Sequence, residues 1–528
     1  MIGTAHIDTF IRDQLPLPGA QPEFLFDLPE VRYPDRLNAA VELIDRQNPD
    51  ALAVVNDAGS WTYGQLKDLS DRIARLLVER EGLVPGNRVL LRGPNSAMLV
   101  ASWLGVLKAG GVVVTTMPLL RPGEIATRLQ RAKISHAIVD SRFLSDFQAA
   151  GGVDALLTYD GDLGTGELES RVAAVALGFT PVDTHRDDVA LVAFTSGTTG
   201  NPKGCVHYHR DILASADSFA RHVLKPRAAD RWVCSAPVAF TFGLGMLLIF
   251  PWRFGGTAVT IETPGPKPLL DAIARHKVTM LATAPTAYKA IIPLLAEQDI
   301  SSLRTCVSAG EHLPAATWHA WHEATELKII DGIGATEMMH IFISASGDDI
   351  RPGATGKAVP GYVATVLDDE NRPLETGTGR LAIKGPTGCR YFDDPRQANY
   401  VVNGWNVTGD TYRKDADGYF WYLARSDDMI ISSGYNIAAP EVENALLGHA
   451  AVQECAVIGC PCAERGQKVK AFVVLAPGYA PDAGVVTVLQ DHVKAAIAPY
   501  KYPREVEFVD ALPKTATGKL QRFALRDA

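Results

Sequence analysis

The sequence predicts an α/β protein. A large N-terminal domain carries doubly wound mixed or parallel sheets and a small β-barrel, and a smaller α+β domain follows at the C-terminal end. Three observations predict this. Short apolar runs alternate with helix-like stretches from Thr62 to Val139, and the rhythm returns from Leu269 to Asp331. From about Arg351 it gives way to short alternating runs separated by turn signals. After Arg425 a shorter α/β pattern resumes. Strands alternating with helices imply parallel pairing through crossover helices. For 528 residues, about three to four domains is the starting expectation.

The elements follow in order. Thr62-Tyr63-Gly64-Gln65 has the form of a capping box, and Leu66, Leu69, Ile73, Leu76 and Leu77 recur behind it at helical spacing. Arg88 to Arg92 reads as a strand. Ser96 to Ala109 reads as a mostly buried helix that stops at Gly110-Gly111. Val112 to Thr115 is the next strand, followed by a helix near Glu124 to Arg131 and a strand at His136 to Val139. Val189 to Phe194 is an apolar run that reads as a buried strand.

In the second stretch, Leu270, Ile273 and Ala274 form a helix face. Val278 to Ala282, Thr305 to Ser308 and Leu327 to Ile330 are strand-like. Asp368-Asp369-Glu370-Asn371 and Thr376-Gly377-Thr378-Gly379 are turn signals within a small antiparallel barrel or sheet, placed at about 351–424. Beyond it, Glu441 to Leu447 and Val485 to Ile497 read as helices, and Cys455 to Gly459 and Lys470 to Leu475 as strands. The boundary falls at about Arg425–Asp427, dividing the chain into 1–425 and 426–528.

Composition narrows the function classes. A hydrophobic content of 47% and a charged content of 21% are ordinary for a globular protein. The net charge of −9 disfavours a nucleic-acid partner, which calls for a basic stripe. An anionic ligand must then meet local positive charge. Met1 to Phe10 lacks the apolar core of a signal peptide. Val233 to Trp252 is long enough to span a membrane, but Ser235, Pro237, Thr241, Gly243, Gly245 and Pro251 interrupt it, so a buried core segment is expected. Seven scattered cysteines with one close pair, Cys460 and Cys462, read as reduced thiols in a cytoplasmic protein. His207 and His209 lack a further ligand set, so local structural roles are expected. Trp318, Trp321 and His322 read as packing.

Chemistry concentrates in Thr195-Ser196-Gly197-Thr198-Thr199-Gly200-Asn201-Pro202-Lys203-Gly204. Glycines let a backbone turn its N–H groups inward toward phosphate oxygens, hydroxyls add donors, and Lys203 adds a mobile charge. The stretch is not a Walker A loop, which requires Gly, four residues, then Gly-Lys-Ser/Thr. Further motifs are Ser308-Ala309-Gly310-Glu311-His312 and Asp331-Gly332-Ile333-Gly334-Ala335-Thr336-Glu337. Trp405 to Asp410, Arg425-Ser426-Asp427-Asp428 and Pro513 to Lys519 complete the set.

Five of these, in this order from Thr195 to Lys519, resemble the signature motifs of the AMP-forming adenylating enzymes: acyl-CoA synthetases, luciferases and peptide-synthetase adenylation domains. The resemblance implies two half-reactions. A carboxylate attacks the α-phosphorus of ATP, and the thiol of coenzyme A then attacks the acyl-AMP. It implies that Thr195, Ser196, Gly197, Thr198, Thr199 and Lys203 bind the β- and γ-phosphates. Glu337 is the expected Mg²⁺ ligand, because magnesium takes a hard carboxylate plus phosphate oxygens and waters. Thr336 is placed at the α-phosphate. Gly310, Glu311, Asp331, Gly332, Ile333 and Gly334 are placed around adenine, Asp410 at the ribose diol, and Arg425 at the ribose or phosphate. Lys519 is by itself a solvated tail lysine. The resemblance makes it, with Thr336 and Glu337, catalytic, bridging carboxylate and α-phosphate. It makes the C-terminal domain mobile about Asp427, and puts Ser433 and Gly434 on the surface that meets the CoA pantetheine.

The acid is read from Phe240-Thr241-Phe242-Gly243-Leu244-Gly245 and Glu337 to Phe342. Both segments resemble the benzoate branch, particularly the 2-aminobenzoate-CoA ligases. Phe240, Thr241, Phe242, Gly243, Ala309, Gly334 and His340 then line the acid pocket. Benzoate ligases carry an Ala-Tyr pair where this chain has Thr241-Phe242, and the exchange fits an ortho-substituted ring. An aryl-CoA ligase is therefore expected, with 2-aminobenzoate the best simple acid and benzoate the alternative. An adenylation enzyme loading a carrier protein and a non-catalytic nucleotide sensor are the competing classes. Lys519, Glu337 and Asp410 speak against the sensor. Monomer and homodimer both remain open.

Overall fold

A computed structural model describes residues 3–161, 164–195, 202–425, 429–432, 435–462, 466–497, 499–514 and 520–526. It is built on four sheets. In the first, parallel strands Ala155–Tyr159, His136–Asp140, Arg88–Arg92, Val112–Thr116 and Val189–Thr195 lie side by side, and Lys203–Tyr208 closes the edge antiparallel. The second has nine strands. Its centre is parallel (Ile329–Gly334, Thr305–Ser308, Met280–Thr283, Arg231–Cys234, Thr257–Val259, Leu52–Asn56), and antiparallel strands finish both edges. The doubly wound α/β expectation holds for both.

Local chemistry explains where the main helices begin. Thr62 and Gln65 form the expected reciprocal cap on the helix Tyr63–Glu79, with N–H···O distances of 3.2 and 2.9 Å. Ser96 accepts from the Leu99 N–H and starts Ala97–Lys108, which is buried on every face. That burial suits its sequence, which is apolar all round. Lys108 is tolerated there because Asp45 and Asp71 meet its ammonium at 2.7 and 2.6 Å.

The barrel-like part is a six-stranded antiparallel sheet, from Val363–Leu367 to Phe420–Arg425. No pairing among the described residues closes it, so the small barrel expected here takes the form of a half-barrel sheet. Val366 and Ile383 from this sheet join Val89 and Val113 of the first and Val54 and Met280 of the second in one core. The segment from Val233 to Trp252 lies in that core as a strand end followed by helical turns. No helix among the described residues is long and apolar enough to cross a membrane. The fourth sheet, Met429–Ser432, Tyr435–Ala438, Val452–Cys462, Gly466–Leu475 and Glu505–Phe508, packs on helices Ala439–Leu447 and Ala483–Ala496 through Val442, Leu446, Val473 and Leu489.

Candidate active site

Thr195, Ser308 and Gly334 each close a strand at its C-terminal end, where open α/β sheets form their ligand crevices. Thr195 stands opposite Lys203 across the antiparallel edge pair. Ser196, Gly197, Thr198 and Thr199 lie outside the described residues, as do Asp427, Ser433, Gly434 and Lys519.

The turn Thr336–Met338 follows the strand Ile329–Gly334, and Glu337 within it is only 8% exposed. The Tyr391 hydroxyl donates to the Glu337 carboxylate and accepts from Lys203 Nζ, the latter at 3.2 Å. Burial pushes the Glu337 carboxyl up, and negative charge on the Cys205 sulfur adds to that. Tyr391 and the Lys203 charge work the other way. A buried carboxylate, a phenol and an ammonium thus form one chain. Tyr391 was not legible as a site residue. It is far along the chain from Glu337, and a bridge between Cys205 and Tyr391 brings it in.

The turn is pinned at two further points. His207 Nε2 lies 2.7 Å from the Thr336 carbonyl, and the Thr387 hydroxyl donates to the Met338 carbonyl at 2.8 Å. Both histidines make hydrogen bonds far along the chain rather than local ones: His209 Nδ1 accepts from the Ala39 N–H at 3.1 Å. No group of three or more His, Cys, Asp or Glu that could hold a metal occurs among the described residues.

Gly310 has φ +90, which a side chain would strain, in the turn Ala309-Gly310-Glu311 after Ser308. His312, next along, stacks on Tyr422 at 5.4 Å and meets Asn444 of the C-terminal region at 3.2 Å. Burial, assisted by the Arg522 charge, holds its imidazole down to about 4. Burial pushes the Asp331 carboxyl up to about 8, while the neighbouring Gly332 N–H and Ser308 hydroxyl work the other way. Gly332 is buried, Ile333 is partly buried against the core and Gly334 is exposed. Asp410 faces Arg425 on the neighbouring strand, with Arg425 Nη1 donating at 3.1 Å.

Of the expected acid-pocket residues, Phe242 packs directly on His340, which is 2% exposed. Its ring lies against Phe250, Phe219 and Phe242 with centroids 4.5, 5.7 and 5.7 Å away. Gly245 makes this approach possible: a Cβ there would fall 2.3 Å from His340 Cδ2. Burial holds His340 down to about 3, so the ring is neutral. Its Nε2 faces the Phe242 carbonyl at 3.4 Å, and its Nδ1 is buried with no hydrogen-bond partner among the described residues. Because the carbonyl can only accept, Nε2 carries the proton and Nδ1 presents a lone pair. Thr241, Gly243 and Ala309 are buried, and Phe240 and Phe242 are partly exposed. Phe219 and Phe250 complete a cage that the sequence reading did not include.

Residues 41–391 match the AMP-binding enzyme family, and residues 441–519 match the AMP-binding enzyme C-terminal domain. The chain belongs to that family. It is 37% identical to the benzoate–CoA ligase of Thauera aromatica over 514 residues, covering 95% of this chain and 98% of that protein. The crystal structure of the anthranilate CoA ligase AuaEII in complex with anthranoyl-AMP superposes with a TM-score of 0.89 at 36% identity, covering 95% of this chain and 98% of that one. A benzoate CoA ligase from Burkholderia xenovorans superposes with a TM-score of 0.85 at 33% identity, covering 93% of this chain and 100% of that one. This AMP-binding enzyme is therefore similar along almost its whole length to ligases named for aromatic acids.

Proposed function

We propose that this AMP-binding enzyme is an aryl-CoA ligase: ATP, an aromatic carboxylate and CoA give aryl-CoA, AMP and diphosphate. A carboxylate oxygen attacks the α-phosphorus, the bond to the β-phosphate oxygen breaks, and diphosphate leaves. The CoA sulfur then attacks the acyl carbon, the bond to the AMP oxygen breaks, and AMP leaves with that electron pair, while the thiol proton passes to solvent. The similarity to aryl-CoA ligases supports this reading. The observation that carries it is the buried Glu337–Tyr391–Lys203 chain at the strand ends.

The first step brings an anion to a polyanion, so positioning and charge neutralisation lower its barrier. Lys203 and the loop from Thr195 to Thr199 hold the β- and γ-phosphates. Thr336 donates at the α-phosphate, and Lys519 bridges it to the carboxylate. Glu337 fits Mg²⁺ as one hard, buried carboxylate whose ion takes its other ligands from phosphate and water, since no all-protein cage stands among the described residues. Bound there, the ion neutralises phosphate charge. Asp410 and Arg425 hold the ribose, and the 309–311 turn with Asp331 to Gly334 encloses adenine. The domains are 1–425 and 426–528, hinged at Asp427, with Ser433 and Gly434 at the pantetheine entrance. The buried free thiols Cys234 and Cys306 suit a reducing, cytoplasmic setting.

For the acid, we propose 2-aminobenzoate. The Phe240–Phe242 segment and the caged His340 make a flat aromatic slot. A neutral His340 with its lone pair on Nδ1 accepts from an ortho amine and does not attract a second anion. Incubation with ATP and 2-aminobenzoate tests the reading: about one aryl-AMP should accumulate per chain without CoA and convert to thioester and AMP when CoA is added. Hydrolysis of ATP to ADP, or no bound adenylate, would reject it.

A further inference from the structure

We infer that His207 is a positioning residue for adenylate formation, holding the Thr336–Glu337 turn in its working shape through the Thr336 carbonyl. The inference rests on the reading of Thr336 and Glu337 as phosphate and metal residues, and it adds a residue that touches neither substrate.

The turn is an unusual piece of backbone. Met339, directly after it, has φ +68 and ψ −43, a region that residues with a Cβ rarely enter. Such a conformation persists only where its surroundings over-determine it. The Thr336 carbonyl is the hub. It accepts from the Met339 N–H at 3.1 Å, which closes the turn, and from His207 Nε2 at 2.7 Å, which ties the turn to the strand Lys203–Tyr208. A carbonyl oxygen only accepts, so Nε2 carries the proton.

His207 in turn lies in front of a buried carboxylate, at ion-pair range and beyond hydrogen-bond length. It is fully buried, and its Nδ1 lies 3.7 Å from Asp211 Oδ2. Asp211 pairs with Arg390 at 2.7 Å, and both side chains are wholly buried. The charged and titratable groups facing His207 are therefore Asp211 on the following helix, Cys205 on its own strand and Arg390 beyond Asp211. Burial opposes charge on the imidazole, but the Cys205 sulfur and the Asp211 carboxylate push it up to about 10. The donor to Thr336 is thus present throughout the working pH range. Lys203, at the start of the same strand, bonds to Tyr391, and Tyr391 bonds to Glu337. One strand therefore supplies both a phosphate cation and the brace for the turn that faces it.

The test compares His207→Leu, His207→Gln and Glu337→Gln in the full-length enzyme. ATP-dependent adenylate formation is measured against Mg²⁺ concentration, thioester formation is measured from supplied aryl-AMP, and the melting temperature is recorded. A lost support of a metal-site residue lowers activity about 10- to 100-fold. His207→Leu should lose that much in adenylate formation and need more Mg²⁺, while thioester formation stays within about threefold. His207→Gln, whose amide can donate from a similar position, should recover most of the loss. Should His207→Leu fail to fold, His207→Met against His207→Gln makes the same comparison. Equal loss in both half-reactions, no recovery by glutamine, or an unchanged Mg²⁺ requirement would overturn the inference. If Glu337→Gln raises the Mg²⁺ requirement and His207→Leu does not, the inference alone fails. If Glu337→Gln leaves it unchanged, the reading of Glu337 fails and the inference falls with it.

Discussion

Replacing Tyr391 with phenylalanine deletes one oxygen from the centre of the proposed metal and phosphate site. That oxygen donates to Glu337 and accepts from Lys203 at 3.2 Å. The ring itself is buried against Tyr400, 5.9 Å between centroids, and phenylalanine preserves that packing. What is lost is a hydrogen bond to a charged group, worth about 1.5–3 kcal/mol, and the orientation of a carboxylate with little access to water. If that orientation matters only when Glu337 works on the metal-bound nucleotide, the loss falls on adenylate formation. It then amounts to about 10- to 100-fold in kcat/KM for ATP, since each 1.4 kcal/mol is about tenfold. The assay is diphosphate release at saturating acid with ATP and Mg²⁺ varied, alongside thioester formation from supplied aryl-AMP. A Tyr391→Phe enzyme within twofold of wild type in the first reaction, with an unchanged Mg²⁺ requirement, would refute the reasoning.

Thr241→Ala should narrow the preference for 2-aminobenzoate over benzoate by about tenfold, because an unmatched buried polar group is worth more than a missing methylene. Phe242→Tyr should shift preference toward the unsubstituted ring, and kcat/KM for both acids in all three enzymes checks the pair. Lys519→Ala should abolish adenylate formation, at about 3–4 kcal/mol, and spare thioester formation from aryl-AMP. Parallel loss would contradict that assignment. Asp331 binds its proton more tightly folded than unfolded, with its folded value near 8, so wild-type stability falls as pH rises through that range. The melting temperature of Asp331→Asn should therefore gain on wild type between pH 4.5 and pH 8.5, and a constant difference would show that the carboxyl is not held protonated.

How far the sequence could be read depended on where each determinant lay along it. The start of the helix Tyr63–Glu79 was legible to the residue because Thr62 and Gln65 set it locally. Ala97–Lys108 was legible because continuous apolar character ended at two glycines. The run from Val233 to Trp252 was legible only as core: buried along most of its length, it carries no periodicity, so the strand end and the wide helical turns at Gly245–Ile249 left no mark. In the site, Glu337, Asp410 and Lys203 stood in recognisable motifs. Tyr391, His207, Phe219 and Phe250 did not, because sheet pairing and packing across the core supply their partners. The open antiparallel sheet was expected as a barrel or sheet, and strand order, which decides between them, depends on contacts far apart in the chain.

In the proposed reaction one site joins an aromatic acid to CoA through AMP. Measuring AMP, diphosphate and thioester over a panel of ring-substituted benzoates, octanoate and 4-hydroxycinnamate tests it most directly. The three products should form in equal amounts, with the highest kcat/KM for 2-aminobenzoate, weaker turnover of benzoate and small ortho-substituted analogues, and rejection of octanoate and bulky para-substituted rings. A preference for octanoate or 4-hydroxycinnamate would contradict the aromatic pocket, and thioester formed without AMP would contradict the chemistry itself.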